Sequence, residues 1–252
     1  MSLNLKGKKF LVTGAGRGIG RELVKALNKE ECIVYALNRS KEPLDTLVQE
    51  LPAVVPLNVD LEDWEATRAL LESIEVLDGV VNNAGLADLP STSVLECSKK
   101  FMNKVVDCQV FGAINTMQVV AKKMIEAGRP GSFVNVSSVL SHVAYPGQLP
   151  YCFTKAALDM ITKQFALELG PHNIRVNSIN PTLVLTDDVK RHIEEGSPLD
   201  IVFTSRTPGG RVPEVSEVVV PIMYLLSDMS SMVSGTTQVV DGGMLSSFIT
   251  QL

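Results

Sequence analysis

The chain has 252 residues, 45% of them hydrophobic, and a formal net charge of −5 at pH 7. This length supports a substantial core, and no linker of biased composition divides the chain, so we expect one domain over residues 1–252. The acidic balance excludes a nucleic-acid footprint, and no apolar run approaches the roughly 20 residues that cross a membrane. The first residues carry no apolar signal segment, which predicts a cytoplasmic protein with small-molecule partners.

The apolar pattern alternates short strands with amphipathic helices along the chain. Predicted strands span residues 9–12, 32–37, 54–59, 77–81, 133–138, 174–179 and 237–240. Predicted helices span residues 19–29, 44–50, 64–72, 151–169 and 215–226, and a long amphipathic stretch covers residues 94–126. The strands are apolar on both faces. This predicts an α/β fold: a doubly wound, mostly parallel, Rossmann-like sheet with helices on both faces.

A glycine-rich turn joins the first predicted strand to the first predicted helix. It reads Thr13-Gly14-Ala15-Gly16-Arg17-Gly18-Ile19-Gly20, with a G-x-x-x-G-x-G spacing rather than G-x-G-x-x-G. Glycines permit a tight turn and close approach of backbone to a pyrophosphate, and the helix amino terminus supplies partial positive charge. The turn therefore predicts a dinucleotide site at Gly14, Gly16, Arg17, Gly18, Ile19 and Gly20.

The end of the second predicted strand bears on the choice of cofactor. An NAD-binding protein is expected to carry an acidic residue there, whereas this chain has Asn38-Arg39-Ser40. Guanidinium groups suit bidentate contacts with phosphate, so Arg39 and Arg17 are placed to clamp a 2′-phosphate. A solvated surface charge is the alternative for each arginine. The pair, with Asn38, predicts NADP(H).

Tyr151 and Lys155 are four residues apart at the start of a predicted helix, and Ser138 ends a predicted strand upstream. Residues i and i+4 share one helix face. A fixed ammonium beside a phenol favours the phenolate and lowers a pKa of about 10. The Ser138 hydroxyl is placed to bond the reacting oxygen. The three side chains predict carbonyl–alcohol redox chemistry, with an acid/base, a charge that tunes it and an oxygen-holding group.

These segments together resemble the short-chain dehydrogenase/reductase family over nearly the whole chain. The resemblance lies in Thr13-Gly14-x-x-x-Gly18-x-Gly20, Asn82-Asn83-Ala84-Gly85, Ser138, Tyr151-x-x-x-Lys155, and Asn180-Pro181 followed by Thr186. It implies that Asp60 and Leu61 flank the adenine and that Asn82, Asn83, Ala84 and Gly85 line the cofactor. It also implies that Lys155 binds the nicotinamide ribose beside Tyr151, and that Pro181, Val184 and Thr186 meet the carboxamide.

Residues 59–67 and 151–160 are most similar to family members that reduce small ketoses and α-dicarbonyls. This closer likeness implies NADPH-linked reduction by a homotetramer. Those enzymes resemble one another in placing His three residues before the Tyr, where this chain has Gln148. An amide bonds a sugar hydroxyl but does not titrate. Substrate contacts are therefore expected at Ser138, Gln148 and Tyr151.

Two further features follow from the family resemblance. Residues 187–211, charged and punctuated by glycine and proline, resemble a mobile substrate loop that closes over cofactor and substrate; an ordinary surface excursion is the alternative. The family also places an Asn in the helix before the catalytic strand, where it holds a water against the catalytic Lys. That position aligns with Gln109, whose extra methylene is expected to order the relay water less tightly.

Two other functions stay open. Another member of the family would act on steroid, acyl-carrier or quinone carbonyls, which a large apolar cleft beside Tyr151 would favour. A non-catalytic NADP(H)-sensing protein would keep the fold without turnover, although such proteins usually lose the Tyr or the Lys.

The four cysteines have neither metal-ligand spacing nor the density of a disulfide scaffold, so no metal is expected. The apolar tail, residues 244–252, predicts burial in an assembly.

Overall fold

The computed structural model describes residues 3–85, 90–194 and 199–247, and strands alternate with helices along them. The strands are β1 Lys9–Thr13, β2 Ile33–Asn38, β3 Val55–Asn58, β4 Gly79–Asn82, β5 Gly131–Val136, β6 Ile174–Pro181 and β7 Thr237–Val240. The helices are α1 Gly18–Lys29, α2 Lys41–Glu50, α3 Trp64–Ser73, α4 Lys99–Val106, α5 Gly112–Glu126, α6 Leu149–Leu169, α7 Asp187–Glu194, α8 Leu199–Thr204 and α9 Val215–Leu226.

The strands form one parallel sheet in the order β3-β2-β1-β4-β5-β6-β7. The order reverses between β1 and β4, where consecutive connections leave for opposite sides of the sheet. In such sheets a ligand crevice opens at the carboxyl ends of the strands on either side of the reversal. The topology therefore points to the ends of β1 and β4 as the start of a site.

Apolar side chains cover both faces of the sheet. One cluster joins the strands to α1, α2 and α9, through residues such as Leu23, Leu44 and Ile222. The other joins them to α3 and α5, through Leu71 and Met117, with α6 packed against its margin. The expected doubly wound α/β fold is confirmed.

Several predicted boundaries are wrong by a few residues. β2 and β4 begin at Ile33 and Gly79, later than predicted, and β5 ends at Val136, two residues before Ser138. A Cβ on Gly79 would collide with the Ser132 carbonyl oxygen of β5, so the two strands approach closely only because this residue is glycine. Ser138 instead begins a single 3₁₀ turn and caps it, since its hydroxyl accepts from Leu140 N at 3.2 Å.

The long amphipathic stretch predicted over residues 94–126 is not one helix. Its helical part begins at Lys99, where the Ser98 hydroxyl caps α4 by accepting from Phe101 N at 3.2 Å. A π-helical turn, Asp107–Phe111, then separates α4 from α5. One extra residue in a turn leaves the hydrophobic period almost unchanged, so the pattern could not reveal it.

The predicted substrate loop contains two helices, α7 and α8, while residues 195–198 of it lie outside the described part. Residues 248–252 of the apolar tail also lie outside it. Within the described ranges, no helix combines the length and apolarity that crossing a membrane requires.

Candidate active site

A cleft of about 1010 Å³ opens where β1, β2, β4, β5 and β6 end. It brings most of the predicted site residues together. Those that line it are Gly14, Gly16, Arg17, Gly18, Ile19, Asn38, Arg39, Asp60, Leu61, Asn83, Ala84, Gly85, Ser138, Gln148, Tyr151, Lys155, Pro181, Val184 and Thr186. Gly20, Asn82 and Gln109 are not among its lining residues.

Gly20 and Asn82 lie outside the cleft lining and support its walls from behind, and their contact with the cofactor stays a prediction. A Cβ on Gly20 would collide with the Gly14 carbonyl oxygen, so Gly20 lets α1 pack against the turn. The Asn82 amide is buried and donates to Asn135 Oδ1 at 2.9 Å, which ties the end of β4 to β5.

Thr13 fixes the glycine turn, a role the sequence did not suggest. Its buried hydroxyl oxygen accepts from the backbone N–H groups of Asn83 and Ala84, both at 3.0 Å. The Asn83 side chain donates back to the carbonyl oxygens of Thr13 and Gly14, both at 3.1 Å. These reciprocal bonds lock the end of β1 to the loop after β4, so the two sides of the cleft move as one.

The glycines leave a cradle that side chains would fill. Gly14 has φ +66° and Gly18 has φ +54°, in the left-handed region that favours glycine. A Cβ on Gly16 would lie 2.7 Å from Pro43 Cβ and 2.9 Å from Asn38 Nδ2. Arg17 at the N-cap position makes no side-chain capping bond to α1, which suits an anion at the first N–H groups of the helix. The turn therefore fits a pyrophosphate.

At the adenosine end, both predicted arginines line the cleft and both lie near carboxylates. Arg39 Nη1 is 3.5 Å from Glu62 Oε1 and 3.9 Å from Asp60 Oδ2. Arg17 Nη1 donates to Asp188 Oδ2, on α7, at 2.8 Å. A bound phosphate would either share these guanidinium groups with the carboxylates or replace the carboxylates as their partner. The ion pair of Arg17 also links the glycine turn to the predicted substrate loop.

Ser138, Tyr151 and Lys155 meet at the other end of the cleft. The Lys155 ammonium is buried, lies 5.3 Å from the centre of the Tyr151 ring and donates to the Val136 carbonyl at 2.9 Å. Ser138 Oγ lies 3.5 Å from the Pro181 carbonyl oxygen, a weak contact that leaves its proton available for another acceptor. The arrangement brings the Ser138 hydroxyl against the Tyr151 phenol, with the Lys155 ammonium beside the ring.

Burial shifts the pKa values of Tyr151 and Lys155. It raises the pKa of the Tyr151 phenol, while the Ser138 hydroxyl acts in the opposite direction. Burial also lowers the pKa of Lys155 to about 8, against the charges of Cys108 and Asp159. The prediction of a net lowered pKa for Tyr151 is therefore wrong for the chain alone, since desolvation dominates. A raised pKa keeps the phenol protonated at neutral pH, which suits a proton donor.

Gln109 lies in the π-helical turn, fully buried, with its amide carbon 3.7 Å from the point where a Gly85 side chain would begin. Its Oε1 is 3.4 Å from Thr154 Oγ1, but that hydroxyl donates more closely to the Tyr151 carbonyl, at 2.9 Å. Its Nε2 has no hydrogen-bond partner within the described residues. A buried unsatisfied amide N–H beside the catalytic helix suits a water.

The substrate end is more aromatic than the sequence suggested. Tyr145, in the loop before α6, stacks on Phe203 of α8 with ring centres 5.8 Å apart and planes at 15°. Both line the cleft with Gln148, Leu140 and Leu183. Sequence reasoning missed this pair because the two aromatics lie far apart in the chain and follow no motif.

A family model described as Enoyl-(Acyl carrier protein) reductase matches residues 14–245. The chain belongs to the short-chain dehydrogenase/reductase family. A Mus musculus protein named L-xylulose reductase is 45% identical over 245 residues, which cover 97% of this chain and 99% of that protein. A Sus scrofa protein named carbonyl reductase 2 (NADPH) is 44% identical over 247 residues, covering 98% of this chain and 100% of that protein.

A solved structure extends the comparison to a bound cofactor. The crystal structure of a gluconate 5-dehydrogenase from Burkholderia cenocepacia, in complex with NADP and tartrate, has a TM-score of 0.90 and 28% identity, and covers 97% of this chain and 98% of that chain. The family resemblance seen in the motifs is confirmed, and the enzyme is an oxidoreductase that uses a nicotinamide cofactor.

Proposed function

We propose that the enzyme uses NADPH to reduce a small carbonyl compound, a ketose such as L-xylulose or an α-dicarbonyl, to the alcohol. The observation that carries the proposal is the meeting of Ser138, Tyr151 and Lys155 in a cleft whose far end holds the glycine cradle and two arginines. The names of the two relatives that match nearly the whole chain support the same substrate class.

In the proposed reaction, a bound reduced nicotinamide supplies the hydride. Ser138 donates a hydrogen bond to the carbonyl oxygen and holds it near the phenol. Tyr151 gives its proton to that oxygen as negative charge develops on it. Lys155, cationic below its pKa of about 8, stabilises the phenolate that remains. The Lys155 ammonium lies 5.3 Å from the centre of the Tyr151 ring, close enough for its charge to act on that phenolate in a buried site.

Gln109 completes the proposed proton path. Its Nε2 is the buried N–H without a partner, and it lies behind Gly85 next to the residue that precedes Lys155. A water held there would pass protons from solvent toward Lys155 and Tyr151. The expectation that a glutamine holds this water less tightly than an asparagine would rests on the extra methylene and rotamer of its side chain.

The preference for NADPH over NADH rests on Arg39 and Arg17. β2 ends at Asn38 rather than at an acidic residue, so this position has no carboxylate to bind the ribose 2′-hydroxyl of NADH. A 2′-phosphate carries about −1.5 to −2 charges and three acceptor oxygens, more than a carboxylate offers. It would therefore draw both guanidinium groups away from Glu62 and Asp188.

The substrate end favours a second candidate within the family. Leu140, Leu183, Tyr145 and Phe203 give the cleft a largely apolar wall, with Gln148 as a polar contact. Each sugar hydroxyl buried against such a wall without a partner costs about 1–3 kcal/mol. A bulkier apolar carbonyl, of the steroid, acyl-carrier or quinone type, is therefore the alternative, with residues 187–211 acting as a lid over either substrate.

The proposed assembly is a homotetramer. α6 exposes Phe153, Met160 and Leu167, which are 50%, 63% and 73% exposed, and such residues on one helix favour an interface. The cytoplasmic location stays a prediction from the sequence.

A substrate panel tests the proposal. Purified enzyme would be mixed with NADPH and L-xylulose, diacetyl-like dicarbonyls, steroid ketones or quinones, and NADPH oxidation followed. Turnover highest with ketoses or dicarbonyls is the expected result. Highest turnover with steroids or quinones would favour the alternative, and NADPH binding without turnover of any carbonyl would favour a sensing protein.

A further inference from the structure

Asp159 is a buried carboxylate about two turns beyond Tyr151 on α6, outside the cleft lining. The His142 imidazole is beside it, with Nε2 3.8 Å from Asp159 Oδ2. Its hydrogen bonds come from neutral donors on β6. Asn180 Nδ2 donates to Oδ2 at 2.8 Å, and Ser178 Oγ lies 3.2 Å from Oδ1, its single proton being shared with Asn180 Oδ1. Burying a carboxylate on neutral donors is costly, which makes a functional reason for it worth seeking.

The Asn180 amide continues from Asp159 toward Ser138. Asn180 Nδ2 lies 3.2 Å from the Ser138 carbonyl oxygen and 2.9 Å from Ser141 Oγ. Ser141 Oγ in turn donates to the same Ser138 carbonyl at 2.7 Å. On its other side, Asn180 Oδ1 accepts from Ser178 Oγ at 2.9 Å. The bonds form a continuous network from the middle of α6 to the backbone of Ser138.

The carboxylate fixes which way the amide faces. Asp159 accepts and cannot donate when ionised, so it draws the NH₂ of Asn180 and not its oxygen. In the opposite orientation, Asn180 Oδ1 would face both Asp159 Oδ2 and the Ser138 carbonyl oxygen, two acceptors within about hydrogen-bond distance. With the NH₂ held in place, the Ser138 carbonyl receives a donor at the point where β5 has ended.

We propose that Asp159, acting through the amide of Asn180, is a positioning residue that fixes Ser138 relative to Tyr151. The inference rests on the proposed function, in which Ser138 and Tyr151 share the substrate oxygen. Tyr151 and Asp159 belong to one helix, so the network sets the distance between the helix and the loop that carries Ser138. The network therefore controls the spacing of the two donors, the Ser138 and Tyr151 hydroxyls, that hold the substrate carbonyl oxygen.

Apart from the side-chain bond between Tyr151 and Ser138 themselves, the bonds described from α6 to β5 and Ser137 end before Ser138. Lys155 Nζ donates to the Val136 carbonyl at 2.9 Å, and Ser137 Oγ donates to the Lys155 carbonyl at 3.1 Å. Beyond Ser137 the chain turns into the 3₁₀ turn, where Asn180 and Ser141 hold the Ser138 carbonyl. The charge of Asp159 also acts on Lys155, one turn away, and raises its pKa against the effect of burial.

Exchanging the side chains of Asp159 and Asn180 tests the proposal. Asp159→Asn removes the charge with little change of shape, and should lower kcat for carbonyl reduction by about tenfold or more, with unchanged NADPH affinity. Asn180→Asp should be worse, because two carboxylates would then meet. In the double variant D159N/N180D, the carboxylate–amide bond re-forms in reverse, so thermal stability should recover from the Asn180→Asp value. Its kcat should stay low, because an acceptor now faces the Ser138 carbonyl.

Asn177→Ala provides the matched control. Asn177 is a buried amide on the same strand, bonded to Val233 and Thr236 rather than to Ser138. It should lower thermal stability and leave kcat of the folded enzyme near the parental value. If Asp159→Asn fails to fold, Ser178→Ala, which removes the hydroxyl shared by Asp159 and Asn180, should still lower kcat severalfold without altering NADPH affinity.

Two outcomes would overturn the inference. The first is parental kcat in Asp159→Asn or, if that variant does not fold, in Ser178→Ala. The second is a double variant that regains both stability and kcat, which a purely structural role would give. Ser138→Ala separates this failure from failure of the proposed function. A parental kcat in Ser138→Ala removes Ser138 from the mechanism, whereas a low kcat there with unaffected Asp159 variants contradicts only the network.

Discussion

The charge on Lys155 depends on pH in the range where enzymes work. Its ammonium is buried, and burial lowers its pKa to about 8, with Cys108 and Asp159 opposing the shift. Below that pH the lysine is cationic and stabilises a phenolate at Tyr151; above it the lysine is neutral. The Tyr151 phenol, whose pKa is raised, loses its proton only at higher pH. Lys155 is therefore the first of the two groups to lose its proton as pH rises.

This order of titration predicts that kcat falls as pH rises through about 8. A guanidinium stays charged throughout the accessible range, so Lys155→Arg should lose this alkaline decline even though its kcat is lower at neutral pH. The measurement is kcat against pH with saturating NADPH. A decline at the same pH in both enzymes would assign it to another group.

Arg39 gives a second prediction at the residue scale. Arg39→Asp replaces a charge-assisted contact worth about 1.5–3 kcal/mol with a repulsive carboxylate. It should weaken NADPH binding markedly and NADH binding little, as measured by titrating each cofactor. Lys122→Asp makes the same change of charge on α5, away from the cleft, and should leave both affinities unchanged. Equal losses for the two cofactors in Arg39→Asp would contradict a contact with the 2′-phosphate.

At the scale of elements, the π-helical turn matters most because it places Gln109. Gln109→Asn should keep or raise kcat at unchanged NADPH affinity, since the shorter side chain has fewer rotamers to fix. Gln109→Ala should cut kcat and barely alter the KM for substrate. Gln118→Ala removes an exposed amide about two and a half turns further along, on α5, and serves as control. An alanine variant at 109 as fast as the parent would make Gln109 only a core-facing residue.

The order of elements and the parallel sheet were predictable because helices carry a period-3.6 apolar pattern and strands buried on both faces read as continuous apolar runs. The glycine turn and the Tyr151, Lys155 and Ser138 set were predictable because they are local or fall at element ends. The early end of β5 and the π-helical turn change the period too little to be seen.

Contacts between segments that are distant in the chain could not be predicted from the sequence either. Thr13 against Asn83, Tyr145 against Phe203, and Arg17 against Asp188 each join residues that only the fold brings together. The raised pKa of Tyr151 likewise follows from burial, which no spacing of residues encodes.

On the scale of the whole molecule, α6 has an apolar face that one chain leaves exposed. Met160 is 63% exposed, with Phe153 and Leu167 on the same helix. Burying such side chains releases about 25 cal/mol for each Å² of apolar surface, so a glutamate there should oppose assembly. We expect a tetramer in sedimentation at micromolar concentration, and smaller species for Met160→Glu. A monomeric parent would contradict the proposed assembly.

The central claim is that Tyr151 protonates a carbonyl oxygen inside this cleft. Tyr151→Phe keeps the ring and removes only the O–H, and Tyr224→Phe makes the same change on α9, away from the cleft. With the best substrate of the panel, kcat of Tyr151→Phe should fall about a hundredfold or more while NADPH still binds, and kcat of Tyr224→Phe should stay near the parental value. Near-parental turnover by Tyr151→Phe would contradict the account.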